Sequence, residues 1–123
     1  MDVFAWILTS LLALVFLVAG LVKAVTPYPK LMENPSMGWA ADFTAWQVKT
    51  IAVLEVLGAV GIVVPWAFDT AKVVAPIAAA GLAVTMVGAT IVHGRRAEWS
   101  QVAVNAVLFA LAVAVAAVRF AQL

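Results

Sequence analysis

The stretch Val48–Pro65, VKTIAVLEVLGAVGIVVP, decides the fold. From Ile51 to Val64 it is aliphatic or glycine at every position except Glu55. A run of this length matches the roughly 20 helical residues that cross a bilayer core of about 30 Å. The composition agrees. The chain has 123 residues, 67% hydrophobic and 11% charged, where soluble domains carry about 45–50% and about 25%. A chain this short leaves much of its surface exposed, so lipid must be the solvent for much of the molecule.

The same criterion gives four spans: about residues 3–25, 48–64, 73–92 and 102–118. Pro65 is expected to end the second. Pro76 falls in the first turn of the third, where a missing N–H is tolerated. Helices suit these spans because each satisfies its own backbone hydrogen bonds in lipid. Only Asp2 precedes the first run after the initial Met1. With no basic leader or short cleavable core, it reads as a retained helix. The predicted fold is all-α, one domain over residues 1–123, a transmembrane up-down four-helix bundle. Its loops at 66–72 and 93–101 are short, which makes neighbouring helices antiparallel.

The loop at 26–47 is longer. It holds Pro27, Pro29, Pro35, Gly38, Trp39 and Trp46, and it is expected to lie along the membrane surface. The tryptophans Trp6, Trp39, Trp46, Trp66 and Trp99 are expected to form interfacial belts. Lys23, Lys30, Lys49, Arg95 and Arg96 fall on the side of the first and third loops, against Lys72 and Arg119 on the other. Five against two orients loops 26–47 and 93–101 toward the cytoplasm and both termini outside.

Alternating topology brings distant polar residues into one leaflet. Glu55 is seven residues past Val48, about 10 Å deep. Lys23 closes span one on the same side, His93 closes span three, and Asn105 is early in span four. Thr85 lies eight residues deeper than His93. Glu55 shares a helix face with Ala52, Gly58, Ala59 and Ile62, and Gly81, Thr85, Gly88 and Val92 form a stripe on span three. Small residues on such stripes allow helices to approach closely. Glu55 therefore faces the bundle, with Lys23 and His93 as candidate partners, because intramembrane charges normally pair. Glu55, His93 and Lys23 are the candidate catalytic residues; Thr85, Asn105, Gly58 and Gly88 are the candidate ligand-binding residues. Each has a plainer reading. Glu55–Lys23 can hold register, Lys23 can snorkel, His93 can be interfacial, and Asn105 can clamp two helices.

The chain has no cysteine and one histidine. Disulfides, thiol chemistry and iron–sulfur ligation are excluded, and no metal is expected. A net charge of +1 without a basic stripe gives no reason to expect nucleic acid.

The segments AGLVKAV (Ala19–Val25), VLEVLGAVGIVVP (Val53–Pro65) and APIAAAGLAVTMVGATIVHGRRAEW (Ala75–Trp99) resemble the DoxX-like family, small four-helix membrane proteins of prokaryotes. The family's late lysine in span one, its LE-x-x-G in span two and its histidine at the end of span three match Lys23, Leu54–Glu55–Gly58 and His93. The resemblance implies a multi-pass protein of the prokaryotic inner (plasma) membrane. It also implies proximity to quinone or lipid chemistry, since the family's namesake is a membrane subunit of quinone-coupled sulfur oxidation.

The leading expectation is a quinone- or lipid-associated module or subunit of a membrane oxidoreductase system; its cofactor is not identified by the sequence, a quinone being the candidate. Its partners would be the bilayer, a lipophilic small molecule, and either a membrane-complex partner or a second copy. One alternative is a stand-alone enzyme doing acid–base isomerisation, cyclisation or epoxide opening on a lipophilic substrate. The others are a small proton-coupled transporter and a structural scaffold.

Overall fold

The structure, a computed structural model, describes residues 2–123. Four long helices carry it: α1 (Asp2–Val25), α3 (Ala45–Ala67), α4 (Val74–Arg95) and α5 (Trp99–Ala121). The long loop contains one short turn of helix, α2 (Tyr28–Leu31), and a 3-10 segment, Pro35–Asp42, kinked at Met37. Each long helix is long and apolar enough to cross a bilayer. No strand occurs among the described residues. The protein is an all-α transmembrane four-helix bundle.

The helices form a closed ring. α1 packs on α3, α3 on α4, α4 on α5, and α5 returns to α1 through the least extensive of the four seams. The core holds Leu12, Phe16, Ile62, Leu82, Met86 and Val115, drawn from all four helices. On the outward faces Leu14, Leu57, Val84 and Val107 are exposed, as lipid-facing positions require. Close approach is concentrated at two seams. A Cβ on Gly20 would meet Val56 Cγ2 at 2.8 Å and the Ala52 carbonyl oxygen at 2.9 Å, and one on Gly61 would meet Ala78 Cβ at 3.0 Å.

Three expectations are corrected. Pro65 does not end its span: α3 runs on to Ala67, with the Phe68 N–H donating to the Val64 carbonyl at 3.0 Å. A proline near a helix terminus removes few ladder bonds, so the following residues still close a turn. The Gly81–Gly88 stripe does not mediate close packing. Both glycines are exposed with open space at the Cβ position, and α4 instead buries Ala79, Leu82, Ala83 and Met86. The tryptophans also divide. Trp46 and Trp99 are exposed, whereas Trp6 and Trp66 flank Arg119 (5.0 and 4.2 Å from guanidinium carbon to ring centre) and Trp39 packs on His93.

The long loop folds back over the bundle. Thr44 caps α3 in a reciprocal capping box with Gln47, satisfying two donors at the helix start. The Tyr28 hydroxyl donates to the carbonyls of Ala40 and Phe43 at 3.0 and 2.7 Å, and Leu31, Ala40 and Val48 make a small separate core. Lys49 reaches across to the carbonyls of Lys23 and Thr26, satisfying acceptors at the C-terminus of α1 where the helix dipole favours a cation.

The α4–α5 turn is a Schellman closure. Glu98 N–H donates to the His93 carbonyl at 2.9 Å and Ala97 N–H to the Gly94 carbonyl at 3.1 Å. Ala97 takes φ 55°, the left-handed region where glycine is usual. Ala97→Gly is therefore expected to raise stability by about 1 kcal/mol, read as a higher melting temperature in detergent. An unchanged or lower value would show that the turn is not held in this conformation.

Candidate functional site

The polar residues meet at the end of the bundle beneath the long loop. Lys23, in the last turn of α1, turns inward and forms an ion pair with Glu55 of α3. Their relative exposures are 9% and 3%, so the pair is removed from both lipid and water. Helical position explains this. Gly20 lies against Ala52 and Val56, and Lys23 is one turn further on, so its stem spans the rise back to Glu55. The snorkelling alternative does not describe Lys23: its ammonium has an internal partner.

His93 is also buried, but its partner is not Glu55. Its Nδ1 lies 2.8 Å from Glu98 Oε1, and Arg96 Nε lies 3.3 Å from the same oxygen. The Schellman turn produces this contact by folding Glu98 back over the end of α4. Arg96 also donates to Asp42 at 3.2 Å. The guanidinium thus joins the α4–α5 turn to the 3-10 segment, with its Nη2 close against Gly38. Trp39, on that segment, meets His93 edge to face at 6.0 Å between ring centres, and its ring is 5.6 Å from the Lys23 ammonium. One chain of contacts therefore runs Glu55–Lys23–Trp39–His93–Glu98–Arg96–Asp42.

This chain borders a cavity of about 280 Å³. Lys23, Glu55, Thr85, His93 and Asn105 all line it, with apolar wall from Phe16, Met86 and Leu108. Asn105 is 7% exposed and its Nδ2 has no hydrogen-bond acceptor among the described residues. Thr85 donates its hydroxyl to the Gly81 carbonyl at 3.0 Å, which leaves only its oxygen lone pairs for a neighbour. Gly58 and Gly88 lie outside the lining. Gly58 instead faces Leu82 across the α3–α4 seam.

The cavity is roofed on the loop side by Met37 and Trp39. Among its lining residues, Val15 of α1 and Val104 of α5 are also on the outer surface, at 42% and 53% exposure. The lining therefore reaches the outer apolar surface at the α1–α5 seam, and half-buried Gln101, in the first turn of α5, lines its loop end.

Trp39 and Glu98 were not singled out as site residues from sequence. Trp39 looks like any interfacial tryptophan until the loop is folded. Glu98 follows "GRR" in a loop, and only the positive φ of Ala97 turns it toward His93; a short loop after a terminal histidine was the available signal.

A sequence model described as the DoxX-like family matches residues 7–115, most of the chain. No curated protein and no solved structure matches it.

Proposed function

This chain belongs to the DoxX-like family, a multi-pass membrane protein built on four apolar helices, and we propose that its cavity binds the polar head of a membrane-dissolved amphiphile, a quinone above all. On this reading the protein is a quinone- or lipid-associated module of a membrane oxidoreductase system, oriented with loops 26–47 and 93–101 toward the cytoplasm. The observation that carries the reading is Asn105. A buried amide N–H without an acceptor is rare in folded proteins, and here it lines a cavity. Its acceptor must come from outside the chain, from ligand or water. A carbonyl oxygen accepts such a bond, and the Lys23 ammonium supplies a second donor at the same end.

The rest of the site supports a lipophilic ligand. The walls are mostly apolar, and the lining reaches the outer apolar surface at Val15 and Val104. A volume of about 280 Å³ is near the lower limit for small-molecule pockets, about 300–1,000 Å³. It suits a ring head with its tail left in the bilayer.

Trp39 provides the test, since it lines the cavity and a bound quinone quenches a neighbouring indole. Titration of a short-tailed quinone into protein in nanodiscs is expected to quench fluorescence saturably, and Trp39→Phe to remove that component. Asn105→Leu should weaken binding about tenfold, the value of one hydrogen bond of about 1.4 kcal/mol. Equal, unsaturable quenching in all three proteins would mean that the quinone only partitions near exposed Trp46 and Trp99, and the proposal would fall.

A further inference from the structure

We infer that His93 and Glu98 form a proton relay between the cavity and the aqueous face, so that the protein exchanges a proton with a bound ligand bearing a weakly acidic hydroxyl, a phenol or hydroquinone. This rests on the cavity binding an amphiphile, as proposed above. It adds a catalytic function and assigns Glu98 to it.

Position along the relay is the first argument. His93 lines the cavity and its side chain is 9% exposed, while Glu98 does not line it and its side chain is 27% exposed. Their contact is 2.8 Å, within the reach that proton transfer needs. The two residues therefore connect the cavity to water through one hydrogen bond. The second argument is orientation. With Nδ1 engaged by the carboxylate, the neutral ring carries its proton there and presents Nε2 as a base. Among the described residues Nε2 has no protein partner.

The other titratable groups are committed elsewhere. The charges around His93 are Lys23 from α1, Glu55 from α3, Asp42 from the 3-10 segment, and Arg96 and Glu98 from its own turn. Glu55 is held by Lys23, and Asp42 by Arg96. The hydroxyl of Thr85 donates to its own helix, and the Asn105 amide does not titrate. His93 is the group that both lines the cavity and has a hydrogen-bonded path outward.

In the transfer, the ligand O–H bond breaks and its proton bonds to Nε2, giving an imidazolium beside the Glu98 carboxylate. The Nδ1 proton then passes to Glu98 Oε1 and from there to water, which leaves the ring neutral with its proton on Nε2. The ligand is left as its anion, beside the Lys23 ammonium. No electron is transferred and no co-reactant is needed.

The test uses a hydrophobic alkylated nitrophenol, whose phenolate has its own visible band, bound to full-length protein in nanodiscs. Trp39 quenching reports binding and the phenolate band after a stopped-flow pH jump reports proton loss. Glu98→Gln keeps an acceptor oxygen for the Nδ1 proton but cannot take it up. It is expected to bind the probe as the wild type does and to slow proton loss about a hundredfold, the scale of one acid–base group. Glu98→Asp, which restores a carboxylate, is expected to recover at least part of that rate. Wild-type rate in Glu98→Gln, or equal slowness in Gln and Asp variants, would overturn the relay while leaving ligand binding intact. A wild-type protein that neither binds nor quenches with the probe or with a quinone would overturn the binding site itself, and the relay with it.

Discussion

Lys23→Met is expected to lower the unfolding free energy by about 3–5 kcal/mol, the usual consequence of removing one partner from a buried ion pair. Glu55 is 3% exposed and Lys23 is the cation it contacts. The substitution keeps the volume of the stem but leaves a carboxylate in an apolar interior. Replacing both partners has a different outcome. Lys23→Met with Glu55→Leu removes the orphaned charge along with its partner, and apolar replacement of a buried pair is often neutral. The double variant should therefore melt well above Lys23→Met. Titrating the folded fraction in mixed detergent micelles for Lys23→Met, Glu55→Leu, the double variant and the wild type gives the coupling between the two sites. If the single variant were as stable as the wild type, the pair would not be buried as described. If single and double variants were equally unstable, the cost would come from packing and not from charge.

The second large effect is expected at Gly20. A Cβ there would lie 2.8 Å from Val56 Cγ2, 2.9 Å from the Ala52 oxygen and 3.1 Å from the Val56 nitrogen. Two of these atoms are backbone, so rotamer changes cannot relieve the contact. Alanine in place of a helical glycine gains about 1 kcal/mol of propensity, but overpacking costs typically about 1–3 kcal/mol, and here the clash wins. Gly20→Val is expected to destabilise by about 3 kcal/mol, at the upper end of that range. It also moves α1 away from α3, so ligand quenching at Trp39 should weaken with it. Gly88 is the control. Its Cβ position is open, so Gly88→Ala should raise stability by up to about 1 kcal/mol. Parallel melts of the two variants decide the matter; a Gly20→Val protein as stable as Gly88→Ala would mean that α1 and α3 are not in close contact.

The candidate site was partly legible in the sequence because topology constrains depth. Once four crossings alternate, Lys23, Glu55, His93 and Asn105 must share one side of the membrane, and the face of α3 carrying Ala52, Glu55, Ala59 and Ile62 is the face that the structure buries. What failed was any inference needing rotation about an axis. On α4 glycines at 81 and 88 looked like a packing face, yet a uniformly apolar helix has no polar side to mark its orientation, and the buried face proved to be Ala79, Leu82, Ala83 and Met86. Arg119 illustrates the same limit. It counted as a flanking charge, but it is wholly buried beside Trp6 and Trp66 and donates to Gln122 at 2.8 Å. Cation–aromatic contacts of this kind join distant parts of the chain and leave no local pattern.

Hydropathy and loop length alone determined that the chain crosses a membrane four times as antiparallel helices, because lipid admits only backbones that satisfy themselves. They also determined that one carboxylate lies within a span. Only the tertiary structure decided who answers it. Lys23 and not His93 meets Glu55, His93 turns to Glu98 through the left-handed Ala97, and Trp39 leaves the interface to join them. These choices depend on helix rotation and on one backbone angle in a short turn. Neither changes the hydrophobicity of any residue, so neither is written in the pattern that encodes the spans.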